Sequence, residues 1–469
     1  TRCPDRHVGL ASACSIDFTL QHRRNPMSDS SRRSFIKKST FSAAAFVAPL
    51  FASSPRTFAN KSSNDRPRLA QVGLGGQGQF DSRKHQEYAD ILMCCDVDGG
   101  RAGKAIGDET IGRRKAIACT DYRQILDRKD IDIVSIATTD HWHVKIAIEA
   151  LQAGKHVYCQ KPLTLTLEEN QLIRRACRKY SDQTFFVGTQ QRSDRDRFLR
   201  AVNMVQKGLL GDVHTVTVSI GGGDVGGPFQ KADVPRELNW ERWLGQAPLV
   251  DYRPERCHHN FRWWYEYSGG RFTDWGAHHV DIALWALDRN GEGHGPVAFD
   301  GADAAHPIPL KHGHPTRDDS YNTSHDYSVV TTFEDGTRMI VTSRGDNGIL
   351  FEGARGRMFV NRNRITGKPV EENWDDGHFT EDDVARLYKG KPYDDHRGNF
   401  YRCIAEGGLP VSDVYSHLQT MSSCHLSAIA ARLNRRIEWN PKSEEIIGDT
   451  EAASFFARER RKGYDIPKV

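Results

Sequence analysis

A chain of 469 residues that is 38% hydrophobic and 27% charged has the composition of an ordinary folded protein of two or three domains. It holds no uninterrupted apolar run near the ~20 residues that a membrane-spanning helix requires, which argues against stable membrane insertion. The formal net charge of +4 is concentrated at one end: residues 1–60 carry nine Lys and Arg against three Asp and Glu, and the rest carries 56 against 58. A nucleic-acid polyanion is therefore not expected as a partner of the main body.

The first methionine is Met27, so residues 1–26 are expected to precede the true start. Ser31, Arg32, Arg33, Phe35 and Lys37, followed by the apolar, alanine-rich segment from Phe41 to Ala52, have the form of a twin-arginine export signal. Cleavage is expected after Ala52 or Ala59. This predicts an exported protein, periplasmic or equivalent, that engages the twin-arginine translocation machinery already folded. Of the ten cysteines, Cys3 and Cys14 fall in this leader. The other eight form no C-x-x-C pair and read as buried thiols, not as a disulfide framework or zinc site.

After the polar linker KSSNDRP, the run RLAQV breaks into glycines: Gly73, Gly75 and Gly78 fit G-x-G-x-x-G between a strand and a helix. The first glycine permits the tight turn, and the second lets backbone approach a pyrophosphate. The third allows helix and strand to pack while the helix N-terminal amides face the phosphates. The next strand, ILMCC, leads to Asp96, about 18 residues past Gly78, where a carboxylate can accept both ribose hydroxyls. It would repel a 2'-phosphate, so NAD is favoured over NADP, with Arg101 nearby tempering the preference. Asp98 lies past the strand end and is expected to cap the following helix.

The alternation continues through the strand AIACT, the helix DYRQILDRK, the strand IDIVSIA, the helix HWHVKIAIEALQAG, the strand KHVYC, the helix TLEENQLIRRACRKY and the strand TFFVG. Such alternation predicts an α/β fold: a Rossmann-type, doubly wound parallel sheet over residues 61–190. The run IDIVSIATTDHWHVKIAIEALQAGKHVYCQKPLTLTLEE resembles the Gfo/Idh/MocA oxidoreductase family, and the similarity extends from about Arg66 to the C-terminal region. The family's Glu-Lys-Pro reads Gln160, Lys161, Pro162 here: the lysine is kept and the carboxylate becomes an amide. The resemblance implies cofactor contacts for Gln77, Thr138, His143, Gln160 and Lys161. Independently, Lys161 ends a strand at the sheet edge where open α/β sheets bind ligands.

From GDVHTVTVSIGG onward, alternating strands, an Asp335-Gly336 turn and the hairpin GILFEGARGRMFVNR predict an α+β domain with a mostly antiparallel sheet over residues 191–469. GGGDVGGP leads into a proline segment, not a helix, and is read as a mobile loop. The helical stretches NFYRCIAEGG and VYSHLQTMSSCHLSAIAARLNRR are expected to pack back on the nucleotide domain.

Asp274, His278 and Asp281 lie at offsets of four and three, one face of a helix. By the resemblance, Asp274 and His278 join Lys161 around a substrate hydroxyl: His278 takes the proton, Lys161 stabilises the oxyanion and Asp274 orients them. Asp281 and Arg192 are implied as substrate contacts, and Trp263 could stack on a sugar ring. A metal reading of His258, His259, His278, His279 and Asp281 competes, but a dinucleotide loop would then be idle. The expected activity is NAD-dependent transfer of a hydride at a secondary hydroxyl or ketone of a sugar, polyol or related carbohydrate. The alternatives are a redox-assisted lyase or glycosidase with retained NAD, and a noncatalytic carbohydrate sensor. A homo-oligomer formed through the second sheet is also expected.

Overall fold

A computed structural model describes residues 66–374 and 378–469, so the twin-arginine segment lies outside the described residues. Six parallel strands open the fold: β1 (Arg68–Val72), β2 (Asp90–Cys95), β3 (Ile117–Cys119), β4 (Ile133–Ile136), β5 (His156–Gln160) and β6 (Phe185–Gly188), in the order β3-β2-β1-β4-β5-β6. Their side chains are buried on both faces, β4 and β6 throughout, because helices cover both sides. Those helices are α1 (Gly76–His85), α2 (Gly99–Gly107), α3 (Arg123–Leu126), α4 (His143–Gln152) and α5 (Leu167–Lys179). Asp98 caps α2 by accepting from the Arg101 amide. Helix α3 is a single turn, shorter than its sequence pattern suggests.

The second sheet has nine strands, running spatially from Ile365–Thr366 through Gly356–Val360, Gly348–Gly353, Val213–Ser219, Arg338–Thr342, Asp326–Thr332, Ala298–Ala305 and Arg436–Asn440 to Glu445–Ile447. All neighbours are antiparallel except Val213–Ser219 with Arg338–Thr342. The segment 221–228 is irregular and leads into no helix.

The 20-residue helix Val414–Leu433 joins the two halves. It packs on the strand Ala298–Ala305, the helix Gly276–Ala286 and α5. A Cβ on Gly301 would stand 2.2 Å from the Ala430 carbonyl carbon, so glycine lets this helix lie directly on the sheet. A strap, residues 458–466, then crosses toward the nucleotide side. Arg461 donates to the Gly245 carbonyl at 2.7 Å, Tyr464 donates to Glu241 at 2.6 Å, and Lys145 of α4 donates to the Asp465 carbonyl at 2.7 Å. Ile466 joins the core formed by β1, β4, α4 and α5. The eight cysteines from Cys94 to Cys424 are free and buried. Among the described residues no helix is long and apolar enough to cross a membrane.

Candidate active site

Strands β1 and β4 are neighbours, but the strands that follow each in sequence lie on opposite sides, which opens a crevice at their carboxyl ends. Gly73 follows β1 with φ +85°, and a Cβ there would meet the Ala137 carbonyl oxygen at 2.4 Å. Only glycine fits that turn. A Cβ on Gly78 would stand 1.9 Å from the Gly73 oxygen, so this glycine seats α1 on β1. Gly75 stands just before α1 and offers no side-chain cap, and no acid stands in the helix's first turn. The amides there are left for a phosphate.

The resulting cleft, about 490 Å³, takes in Gly73, Gly75, Gln77, Asp96 and Thr138, and also Gln160, Lys161 and Asp274. Asp96 accepts the Leu74 amide at 2.7 Å and the Asp98 amide at 2.9 Å. Burial pushes its carboxyl up while these two amides pull it down. The glycine cradle, the uncapped helix terminus and a carboxylate at the end of β2 fit a dinucleotide.

Gln160 departs from the family pattern for a visible reason. Its amide donates to Asp81 at 2.7 Å, and Gln77 donates to the other oxygen of the same carboxylate at 3.0 Å. Arg397 completes the contacts of Asp81. A glutamate at 160 would set a second carboxylate against this buried one, whose pKa burial already raises. His143 lies one step behind the cleft wall, with its ring nitrogens 2.7 Å from the Pro162 carbonyl and 3.2 Å from the Thr138 carbonyl. It lies between the loops that end β4 and β5, and because burial holds its pKa down to about 4 the neutral ring has one N–H to donate to one of the two carbonyls.

Lys161 reaches across to Asp274, 2.7 Å from Oδ1 and 3.0 Å from the backbone carbonyl. Despite burial, Lys161, Arg262 and Arg271 hold the Asp274 carboxyl far below the usual range. His278 is buried, its Nδ1 without a partner. Burial first, then Lys161 and Arg362, holds the ring neutral. Asp140, also in the cleft, accepts from Ser268 at 2.7 Å, and burial pushes its pKa up to about 7.

The expected single helical face breaks at Trp275, between the short helix Arg271–Asp274 and the helix Gly276–Ala286. Asp274 turns to the cleft. Asp281 turns away and pairs with Arg192 at 2.6 and 2.8 Å, with Thr420 as a third partner. Arg192 and Asp281 are 1% and 0% exposed, so the substrate contacts expected of them are replaced by a buried ion pair. Trp263 is corrected likewise: 2% exposed, it belongs to an aromatic cluster with Trp264 and Tyr267, and the Arg271 guanidinium lies over its ring. His258 approaches Asp98 while His259 meets Arg262, so the adjacent histidines point apart. Among the described residues no group of three or more His, Cys, Asp or Glu could hold a metal. Arg262, Arg271, Asp81 and Asp140 were not singled out by sequence, since nothing local separates them from surface charges.

A glycine-cradled cleft at the switch point of a parallel sheet, with a Lys-Asp pair at its rim, defines a dinucleotide-binding protein built on a Rossmann fold and an α/β second domain. Residues 68–189 match the model for an oxidoreductase family with an NAD-binding Rossmann fold, and residues 200–369 match that family's C-terminal α/β domain. Together these span more than half of the chain, which belongs to the Gfo/Idh/MocA oxidoreductase family. Among its relatives, a glycosyl hydrolase family 109 protein 2 from Shewanella sp. (strain ANA-3) is 34% identical over 216 residues, 40% of this chain and 45% of that protein. Inositol 2-dehydrogenase from Salmonella typhimurium is 29% identical over 143 residues, 30% of this chain and 41% of the relative. The chain thus matches less than half the length of these curated relatives. The crystal structure of the WlbA dehydrogenase from Bordetella pertussis, in complex with NADH and UDP-GlcNAcA, superposes with a TM-score of 0.57 at 20% identity, covering 81% of this chain and 99% of that one. That likeness concerns the fold.

Proposed function

We propose that this protein oxidises a secondary hydroxyl of a sugar, polyol or related carbohydrate, or reduces the matching ketone, with NAD held in the cleft. The observation that carries the reading is the Lys161–Asp274 pair at the carboxyl edge of the Rossmann sheet, with His278 one helical turn beyond. When bound, NAD supplies a nicotinamide ring that accepts or returns hydride. The residues do the rest. Gly73, Gly75 and the α1 amides hold phosphate, Asp96 accepts the ribose hydroxyls, and Thr138 and Gln160 border the nicotinamide end. Asp274 aims Lys161, so that its ammonium stabilises negative charge on the substrate oxygen. Neutral His278 takes the hydroxyl proton.

A closed redox cycle, in which the sugar is oxidised, cleaved or rearranged and then reduced again on one retained NAD, is the second reading. The glycosyl hydrolase relative supports it. Export by the twin-arginine route, argued from Arg32 and Arg33, favours retention as well, because free NAD is scarce outside the cytoplasm. Self-association is the further element. Val330, Ile340, Leu350 and Phe359 follow one cross-strand row of the second sheet and are only half-buried, a surface suited to a second copy of the chain.

The test is purification without added nucleotide, release of bound nucleotide by denaturation, and nicotinamide absorbance during titration with carbohydrates. The expected result is bound NAD(H) whose absorbance one carbohydrate changes and another restores. A protein that binds NAD but whose nicotinamide spectrum no carbohydrate alters would be a sensor.

A further inference from the structure

Around Asp274, at the wall of the cleft, positive charge is crowded. Lys161 takes Oδ1 of Asp274, while Arg262 Nε and Arg271 Nη1 both approach Oδ2, at 3.5 and 3.6 Å. Arg362 adds a fourth cation, stacked 4.6 Å above the Trp275 ring and close enough to His278 to depress its basicity. Asp274 is in direct contact with three of these cations. Of the other acids here, Asp140 is turned to Ser268, Asp194, near Arg362, is held by Arg197, and Asp224, which acts on His259, stands exposed on the 221–228 segment.

Nor do the arginines spend their donors on Asp274, since both contacts are longer than a good hydrogen bond. Arg262 Nη1 donates to the His259 ring, but its Nε is buried and makes no hydrogen bond. Arg271 Nε donates to the Gly222 carbonyl at 2.9 Å. Each guanidinium keeps unused donors in a fixed planar fork, the geometry that grips carboxylate or sulfate oxygens. Their side chains are 20% and 25% exposed, enclosed enough for charge to matter and open enough to be reached. The phosphates of a dinucleotide do not need them, because the glycine turn and α1 lie by Arg101, which would stand 3.2 Å from a Cβ on Gly75. A partly desolvated excess of positive charge is costly unless an anion completes it.

We infer that the substrate is an acidic carbohydrate, whose carboxylate or sulfate is held by Arg262 and Arg271 beside the hydroxyl that faces Lys161. The inference rests on the proposed oxidation at that site and adds the charge of the molecule oxidised. The bound anion also compensates Lys161 and Arg362, which makes protonation of His278 less costly.

The test uses the full-length protein with its bound nucleotide. Hexuronates, hexose 6-sulfates and the neutral hexoses of the same ring configuration are titrated by calorimetry, and nicotinamide absorbance is followed in parallel. The expected result is that at least one acidic sugar binds about tenfold or more tightly than its neutral twin. The uronate and sulfate arms identify which anion it is. Arg262→Gln and Arg271→Gln should each erase most of that difference, and Arg262→Lys should restore part of it. Circular dichroism and bound nucleotide confirm that the variants are folded. A panel in which no acidic sugar binds better than its neutral twin overturns the inference, as does a preference that survives both glutamine variants. Oxidation of neutral sugars without an acid preference would leave the proposed function standing. Acid binding that depends on the arginines but never alters the nicotinamide absorbance would do the opposite.

Discussion

Lys161 Nζ lies 2.7 Å from Asp274 Oδ1 and 3.0 Å from the carbonyl of the same residue, so one side chain at the end of β5 is fastened twice to a helix that belongs to the second half of the fold. The contact fixes where the two halves meet. In the proposed reaction, the Lys161 ammonium meets the negative charge that develops on the substrate oxygen.

Lys161→Met should therefore lower turnover by about a hundredfold or more while bound NAD(H) stays in place, because the phosphates and ribose are held elsewhere. Asp274→Asn should lose part of that, since the amide can still accept from Lys161 but no longer offsets its charge. Single-turnover absorbance with a nucleotide count separates these outcomes. Nucleotide-free Lys161→Met protein would assign the lysine to cofactor retention instead.

Gln160→Glu restores the family residue and should nonetheless destabilise this protein, because the new carboxylate would meet Asp81 inside the core. Breaking a buried polar network of this kind costs about 1 to 3 kcal/mol. Adding Asp81→Asn should recover much of the loss. Thermal melts of the two single variants and the double variant give the coupling directly. Equal melting of wild type and Gln160→Glu would show that the two sites do not interact.

Asp96→Ala should weaken NAD by about 1 to 3 kcal/mol and improve NADP relative to it. Because Asp96 also accepts the Leu74 and Asp98 amides, the alanine variant should lose thermal stability as well, and Asp96→Asn should lose less of it. Nucleotide titrations monitored by fluorescence distinguish the two effects. A wild type that prefers NADP would remove Asp96 from the role assigned to it.

Acid should unfold the protein early. Burial holds His141 and His425 down to about 3, and His143, His279 and His417 to about 4. In the unfolded chain these rings protonate near their ordinary value of about 6.5. Below that pH the unfolded state takes up protons first, so each such ring removes on the order of 1 kcal/mol per pH unit until its folded value is reached. Melting temperature should stay nearly level from about pH 8 to about pH 7 and fall steeply toward about pH 4. A flat profile down to about pH 5 would contradict this.

Arg32→Lys combined with Arg33→Lys should leave the protein in the cytoplasm with its leader uncleaved. Fractionation with immunoblotting reads this out. Normal export of the double variant would reject the twin-arginine route.

What could be read from sequence was what depends on near neighbours. The turn of Gly73, Gly75 and Gly78, the Asp98 cap and the Asp335-Gly336 hairpin all follow from conformational preferences of a few adjacent residues, and the buried parallel strands announce themselves as apolar runs. Partners far apart in the chain could not be read. Nothing near Gln160 reveals that Asp81 stands opposite, and nothing around Arg262 or Arg271 marks them as partners of Asp274. The offsets of Asp274, His278 and Asp281 imply one helical face, but the break at Trp275 sends the two carboxylates in different directions. Trp263 and Arg192 have residue types common in sugar sites. Their burial is set by tertiary packing, which composition does not encode.

The strap across the nucleotide side has a kinetic consequence. Tyr464 is a wall of the cleft, a tether to Glu241 and an edge-on neighbour of Trp142, and the rest of the strap is held by Ile466, by hydrogen bonds and by the ion pairs Arg460–Glu168 and Arg461–Glu241. A peripheral segment of this kind opens by local fluctuation at a lower free energy than the whole fold. Because Tyr464 lines the cleft, loosening of the strap widens the cleft with no need for the two sheets to separate. Nucleotide retention is then expected to respond to single substitutions in a short stretch of surface chain that never touches the reacting atoms.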